Sequence, residues 1–421
     1  MSEDNSPIVE AVEIAPTPQI MFADLGLPES VLRAVAEAGY TSPTPIQAQA
    51  IPMLLKGMDL IGGSQTGTGK TAAFALPIIA RLGKHGKLRA LILEPTRELA
   101  TQVFEAIEKY AKYTDLHVAL FYGGTRYGKQ LDMIRGGADI VVATPGRLLD
   151  FMQQGVLKLN NVEILVLDEA DRMLDMGFLP DVRKIIGMTQ AKGRQGLMFS
   201  ATVPPAIATL AKTFLHEPAE IKIGAGIRPA DTISHAIYPV DERQKFDLLR
   251  EILTRLDYHS VLIFTRTKIG ADTVARWLEN HKHGPIAVLH ADRTQKERES
   301  ALADFKAGRS EILVATDIVA RGIDISDISH VINYDIPQHP EDYVHRIGRT
   351  GRAKREGDAM TIYSAAETEF VAAIERFIQQ PLRRKKLENF PYLWSPILDD
   401  KPPVAKKRNR GFSAKPSFNF R

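Results

Sequence analysis

The stretch Glu163-Ile-Leu-Val-Leu-Asp-Glu-Ala-Asp171 sets an unbroken apolar run directly against three carboxylates. A run that never alternates with polar residues suits a strand buried on both faces, as in a parallel sheet. The acids at its end then emerge beyond the carboxyl end of the strand, where such sheets bind their ligands. The same design recurs on either side. Upstream lie Arg89-Ala-Leu-Ile-Leu-Glu94 and Asp139-Ile-Val-Val-Ala-Thr144, and downstream a weaker relative, Gly196-Leu-Met-Phe-Ser200. Further on come Ser260-Val-Leu-Ile-Phe-Thr265, Glu311-Ile-Leu-Val-Ala-Thr316 and His330-Val-Ile-Asn-Tyr334. Amphipathic stretches such as residues 98–113 and 271–280 lie between them. Strand and helix signals in alternation predict an α/β fold, with parallel sheets flanked by helices.

At 421 residues the chain is too long for one ordinary core. The strand–helix pattern pauses over residues 217–234, which hold Pro218, Gly224, Gly226 and Pro229 and read as an interdomain linker. The expected organisation is an acidic, unstructured start over residues 1–20, a first domain over 21–222 and a linker over 223–232. A second domain covers 233–380, followed by a basic, largely disordered extension over 381–421. With no cysteine there is no disulfide, thiolate zinc site, iron–sulfur cluster or cysteine nucleophile. The histidines are scattered and give no zinc pattern. No apolar run reaches the roughly eighteen residues of a membrane helix. The N-terminus lacks the basic start and apolar stretch of a signal peptide. A cytoplasmic setting is therefore expected. The net charge of +3 is unevenly placed. Residues 1–20 carry four acids and no base, residues 401–421 seven bases and no acid, and the body between is formally neutral. Any nucleic acid bound by the body must be held by local placement of groups rather than by bulk charge.

Ser64-Gln-Thr-Gly-Thr-Gly-Lys-Thr71 has the composition and spacing of a phosphate loop. Gly67 and Gly69 let main-chain N–H groups of the loop, including those of Gln65, Thr66 and Thr68, turn toward phosphate oxygens. Lys70 reaches the β and γ phosphates and the Thr71 hydroxyl ligates magnesium. Ser64 stands where the general pattern has a glycine. Asp168 is placed to hold the metal through water, and Glu169 to orient or deprotonate the attacking water. Arg346-Ile-Gly-Arg-Thr-Gly-Arg352 puts Arg349 and Arg352 at helical spacing. They read either as a basic surface helix or as arginine fingers reaching a γ-phosphate from the second domain.

The chain from about residue 22 to 364 resembles the DEAD-box RNA helicases of superfamily two, and within them a bacterial RhlE-like group. Carrying the resemblance are Gly39-Tyr-Thr-Ser-Pro-Thr-Pro-Ile-Gln47, Pro95-Thr-Arg-Glu-Leu-Ala100, Gly123-Gly124, Thr144-Pro-Gly-Arg147 and Asp168-Glu-Ala-Asp171. Ser200-Ala-Thr202, Gln295 with Arg298, Ala320-Arg-Gly-Ile-Asp324 and residues 345–352 continue it in the family's order. It implies two tandem RecA-like domains using ATP with Mg2+. By the same resemblance Gln47, in a segment spanning residues 21–48, reads the adenine edge with Phe22 stacked on the ring, and Asp324 contacts the ribose. Ser200 and Thr202, with Asp171 and His345, couple the nucleotide site to RNA. The implied RNA contacts are Thr96, Arg97, Gly124, Thr144, Gly146 and Arg147 in the first domain. In the second they are Thr265, Arg266, Gln295, Arg298, Thr316 and Arg321. Such small, hydroxyl and arginine side chains suit phosphate and sugar contacts without sequence preference. Ala291 departs from the family's usual glycine. The implied activity is ATP-driven, local separation of short RNA duplexes. An ATP-gated RNA clamp that anneals or scaffolds, and a DNA-translocating helicase, are the competing readings. The basic tail, with Phe412, Phe418 and Phe420, reads either as an RNA tether or as a solvated end.

Overall fold

The computed structural model describes residues 20–63, 68–190, 192–222, 232–317, 328–351, 356–393 and 395. These form two compact units, one ending at residue 222 and one starting at 232. The expected unstructured ends, at residues 1–19 and 396–421, and the linker residues 223–231 lie outside the described residues.

The first unit is built on β1 (Leu60–Gly63), β2 (Ala90–Leu93), β3 (Val118–Phe121), β4 (Ile140–Ala143), β5 (Ile164–Leu167), β6 (Gln195–Ser200) and β7 (Ala219–Lys222). They form one parallel sheet in the order β3-β4-β2-β5-β6-β1-β7. The second unit holds β8 (Ile233–Pro239), β9 (Val261–Thr265), β10 (Ile286–Leu289), β11 (Ile312–Thr316), β12 (His330–Asn333) and β13 (Gly357–Tyr363). This sheet is also parallel, in the order β10-β11-β9-β12-β13-β8. Counted from its own first strand, each sheet reads 3-4-2-5-6-1, and the first adds β7 beyond β1. The internal repeat that the residues do not show is present in the topology.

Alternate residues of the buried strands feed opposite cores. Ile92, Val142 and Val166 join one cluster, while Leu93, Val141 and Leu165 join the other. Two-sided burial is what makes these runs continuously apolar. Six strands, β1, β3, β7, β8, β10 and β13, are not among the runs read from the sequence, and for β1 and β7 the reason is plain. In β1 two of four residues are glycine, and a Cβ on Gly62 would stand 2.5 Å from the Phe199 ring. β7 lies inside the stretch read as linker, because as an edge strand it buries only Ile221. The second unit also runs past the expected boundary at 380. Ile237 N–H donates to the Arg383 carbonyl and Lys385 N–H to the Ile237 carbonyl, each at 2.9 Å. Leu382 is buried, and Leu387, Phe390 and Tyr392 pack on the second core. The basic residues there sit on a strand-like segment whose apolar members hold it to the sheet.

Candidate nucleotide site and nucleic-acid interface

Strand order decides which loops meet. β1, β5 and β6 are neighbours, so the phosphate loop, the acidic tetrapeptide and Ser200–Thr202 share one end of the sheet. Ser64, Gln65, Thr66 and Gly67 lie outside the described residues. From Thr68 onward the chain turns at Gly69 (φ 91°) into the helix Lys70–Leu82, with Thr71 in its first turn. Gly69 is required twice over. Its φ is left-handed, and a Cβ would meet Gln47 Nε2 at 2.3 Å. That amide donates to the Gly69 carbonyl at 3.0 Å while its Oε1 accepts the Thr44 N–H at 2.9 Å. Gln47 therefore ties the helix Pro45–Leu55 to the phosphate loop, and one amide N–H and one lone pair remain outside these bonds. Phe22 is 5% exposed and packs in the first core, so it presents little ring surface.

Lys70 Nζ lies 2.6 Å from Glu169 Oε1 and 3.9 Å from Asp168 Oδ1, all three side chains being buried. Glu169 adopts a left-handed conformation (φ 51°, ψ 49°), which costs a non-glycine residue about 1–2 kcal/mol. Its N–H donates to Asp168 Oδ1 at 2.9 Å. Asp171 binds the end of β6: its N–H donates to Ser200 Oγ at 3.1 Å, and its Oδ2 accepts the Thr202 N–H and hydroxyl at 2.9 and 3.1 Å.

Crowded carboxylates set the electrostatics. Burial pushes the Asp168 carboxyl up to about 6, against Lys70 and with Glu169 adding to the rise. Burial, then Asp168 and Glu169, hold Glu94 well above the usual carboxylate range. Asp171 is raised by burial and by Glu169, the Thr202 N–H opposing. Burial works against the Lys70 ammonium, but Glu169 and Asp168 outweigh it and keep the lysine charged.

The other half of the same sheet end, beyond β3, β4 and β2, carries the residues expected to face RNA. Thr96 starts the helix Arg97–Ala111, and its Oγ1 accepts the Leu99 N–H at 3.4 Å. The Arg97 guanidinium lies against Gly124, where a Cβ would come within 2.3 Å of it. Thr144 precedes the helix Pro145–Gln153, which holds the exposed Gly146. Arg147 is 8% exposed, donates to the Thr125 carbonyl at 3.0 Å and stacks over Tyr127.

In the second unit the corresponding residues follow β9, β10 and β11. Thr265 is fully buried with its hydroxyl donating to the Thr267 carbonyl, so as it stands it offers no surface to a polynucleotide. Thr316, closing β11, and Arg298 are also buried, the latter 3.5 Å from Gln295 Oε1. Arg266 is exposed and bonded to Glu367. Arg321 and Asp324 lie outside the described residues.

The arginine run needs a correction. The helix Pro340–Ile347 carries His345 and ends at Gly348, so Arg349 lies in the following turn and not on a helix face. Thr350 Oγ1 holds that turn by donating to the Ile328 carbonyl at 2.6 Å. Arg349 is 4% exposed and donates to the His345 carbonyl; Arg352 lies outside the described residues. Arg346, unassigned from sequence, is the buried anchor. It binds Asp317 bidentately at 2.5 and 2.7 Å and Asn333 Oδ1 at 3.1 Å. Glu94 was also missed, although as the polar residue closing a buried run it carried the same signal as Asp168.

Two family models match the chain: DEAD/DEAH box helicase over residues 44–210, and helicase conserved C-terminal domain over residues 244–354. The chain is 44% identical over 373 residues to DEAD-box ATP-dependent RNA helicase 30 of Arabidopsis thaliana, covering 87% of this chain and 63% of that protein. It is 44% identical over 367 residues to ATP-dependent RNA helicase CshA of Listeria monocytogenes, covering 86% of this chain and 70% of that protein. Among solved structures, S. cerevisiae Dbp5 bound to RNA and ADP BeF3 superimposes with a TM-score of 0.78 at 32% identity, over 87% of this chain and 95% of that chain. These matches extend over most of the chain's length, and the chain belongs to the DEAD-box ATP-dependent RNA helicase family.

Proposed function

We propose that this chain is an RNA-dependent ATPase that uses ATP to separate or remodel short RNA duplexes locally, with little sequence preference. The observation that carries the reading is the joined set Lys70, Asp168, Glu169, Asp171, Ser200 and Thr202, which connects the phosphate loop through β5 to β6. Residues 64–71 cradle the phosphates, Gln47 reads adenine, Phe22 flanks it and Asp324 meets the ribose. Thr71 and Asp168 fit magnesium. Both are oxygen donors at the same sheet end, Thr71 in the first turn of the helix Lys70–Leu82 and Asp168 beside Lys70, and such donors would suit a hard cation. When bound, the ion neutralises charge on the phosphates.

An arriving γ-phosphate competes with Glu169 for Lys70. Transfer of Lys70 to the phosphate leaves the Glu169 carboxylate to take a proton from the attacking water. Arg349 and Arg352 supply positive charge to the transferring group, so hydrolysis waits on the second domain. Asp171, with Ser200, Thr202 and His345, passes the state of the site to residues facing RNA. Those are Thr96, Arg97, Gly124, Thr144, Gly146 and Arg147, with Gln295, Arg266, Arg298, Arg321, Thr265 and Thr316 of the second domain. Thr265, Thr316 and Arg298, and the equally buried Thr96, Thr144 and Arg147 of the first domain, require a local opening to offer their side chains.

Placement in a bacterial RhlE-like group is also part of the proposal, supported by the motif set; a tree joining the chain to CshA proteins would remove it. So is a cytoplasmic setting, supported by the absence of any helix long and apolar enough to cross a membrane among the described residues. Displacement of a strand from a short RNA duplex tests the reading. ATP should drive release, and annealing or retention without release would favour a clamp.

A further inference from the structure

Glu94 is a buried acid at this sheet end for which the reaction above has no task. It is the first residue beyond β2, and its N–H donates to the Ala143 carbonyl of β4 at 2.9 Å. On the other side Leu93 pairs with Leu167, so Glu94 stands level with Asp168, whose N–H donates to the Leu93 carbonyl at 3.1 Å. The side chain is fully buried, yet neither oxygen has a hydrogen-bond partner among the described residues. Buried polar atoms are almost always bonded, and an exception points to a water or ion that belongs there. The charges acting on Glu94 are those of Asp168, Glu169, Lys70 and Arg172.

We propose that Glu94 is an outer acceptor of the magnesium site, its oxygens taking hydrogen bonds from water carried by the ion that Asp168 and Thr71 hold. Neither Glu94 oxygen meets a protein donor among the described residues, which leaves both for water. Outer partners of this kind orient the bound ion and its water, and losing one weakens metal binding by roughly 10- to 100-fold. Glu94 is thus a positioning residue, and its role rests on the reading of Asp168 and Thr71.

The test is Mn2+ binding to the full chain with ADP, followed by electron paramagnetic resonance, beside ADP binding without metal. Glu94→Gln keeps the shape and removes the charge. It should weaken Mn2+ at least about 10-fold, with metal-free ADP affinity within about twofold of wild type. Glu94→Asp, which keeps the charge but draws it back by one methylene, should fall between the two, and thermal unfolding in metal-free buffer reports that each variant folds. Unchanged Mn2+ affinity in both folded variants overturns the proposal. Equal losses of metal-free ADP binding also overturn it, since Glu94 would then only support the loop. If wild-type protein shows no coupling between Mn2+ and ADP, the assignment of Asp168 and Thr71 fails instead.

Discussion

Gln47→Glu separates the two tasks assigned to Gln47, because it keeps one of the two hydrogen bonds and inverts the other. The Thr44 N–H still finds an acceptor, but the donor to the Gly69 carbonyl becomes a second oxygen at about the same place, in a side chain only 5% exposed. Loss of the bond costs about 1 kcal/mol, and leaving two buried acceptors facing each other about 1–3 kcal/mol more. The first unit should therefore lose about 2–4 kcal/mol of unfolding free energy in urea. The base preference should move as well. A carboxylate can accept from the N–H groups of guanine but cannot donate to adenine, so ATP affinity should fall by about tenfold or more while GTP binding falls less. Fluorescence titration of both nucleotides beside urea unfolding measures the two effects. Wild-type unfolding energy together with an unchanged ATP-to-GTP ratio would refute the role of Gln47 at both ends.

Glu169→Gln removes the charge that faces Lys70 at 2.6 Å. It should lower ATP hydrolysis by about 100-fold or more while nucleotide and RNA still bind; turnover near wild type would show that another group handles the water. Arg346→Met keeps the buried volume but strands Asp317 and Asn333, which should cost the second unit about 3 kcal/mol on urea unfolding; no change would mean the ion pair is dispensable. Asp168 binds its proton more tightly folded than unfolded, so between about pH 4 and 6 the folded chain retains a proton that the unfolded chain releases. Metal-free stability should therefore fall across that window through this group. Asp168→Asn should remove that part of the slope, and an identical pH profile in the variant would contradict the cause.

What the residues alone disclosed follows from where the signal sits. Strands buried on both faces, such as β2, β4 and β5, announce themselves by composition, and the polar residues closing them mark the site. Edge strands such as β7 and β10 bury half their residues at most and leave no comparable trace. The phosphate loop and the acidic tetrapeptide were readable as chemistry because their spacing is local. The bond from Gln47 to Gly69 was not, since it is made by packing the helix Pro45–Leu55 beside the helix Lys70–Leu82, and neither was that from Asp171 to Thr202, since the pairing of β5 with β6 brings those two together. Arg349 was misplaced on a helix because three-residue spacing is blind to the stop at Gly348. Arg346, bracketed in the same motif, proved to be the buried residue because its acceptors, Asp317 and Asn333, come from the ends of β11 and β12, on either side of β9.

The central claim is that hydrolysis waits on RNA. Steady-state ATP hydrolysis by the purified full chain, measured alone, with single-stranded RNA and with DNA of the same sequence, tests it most directly. The account predicts slow turnover alone, a rise of about tenfold or more with RNA, and little response to DNA. Turnover that is equally fast without nucleic acid, or equally raised by DNA, would contradict it.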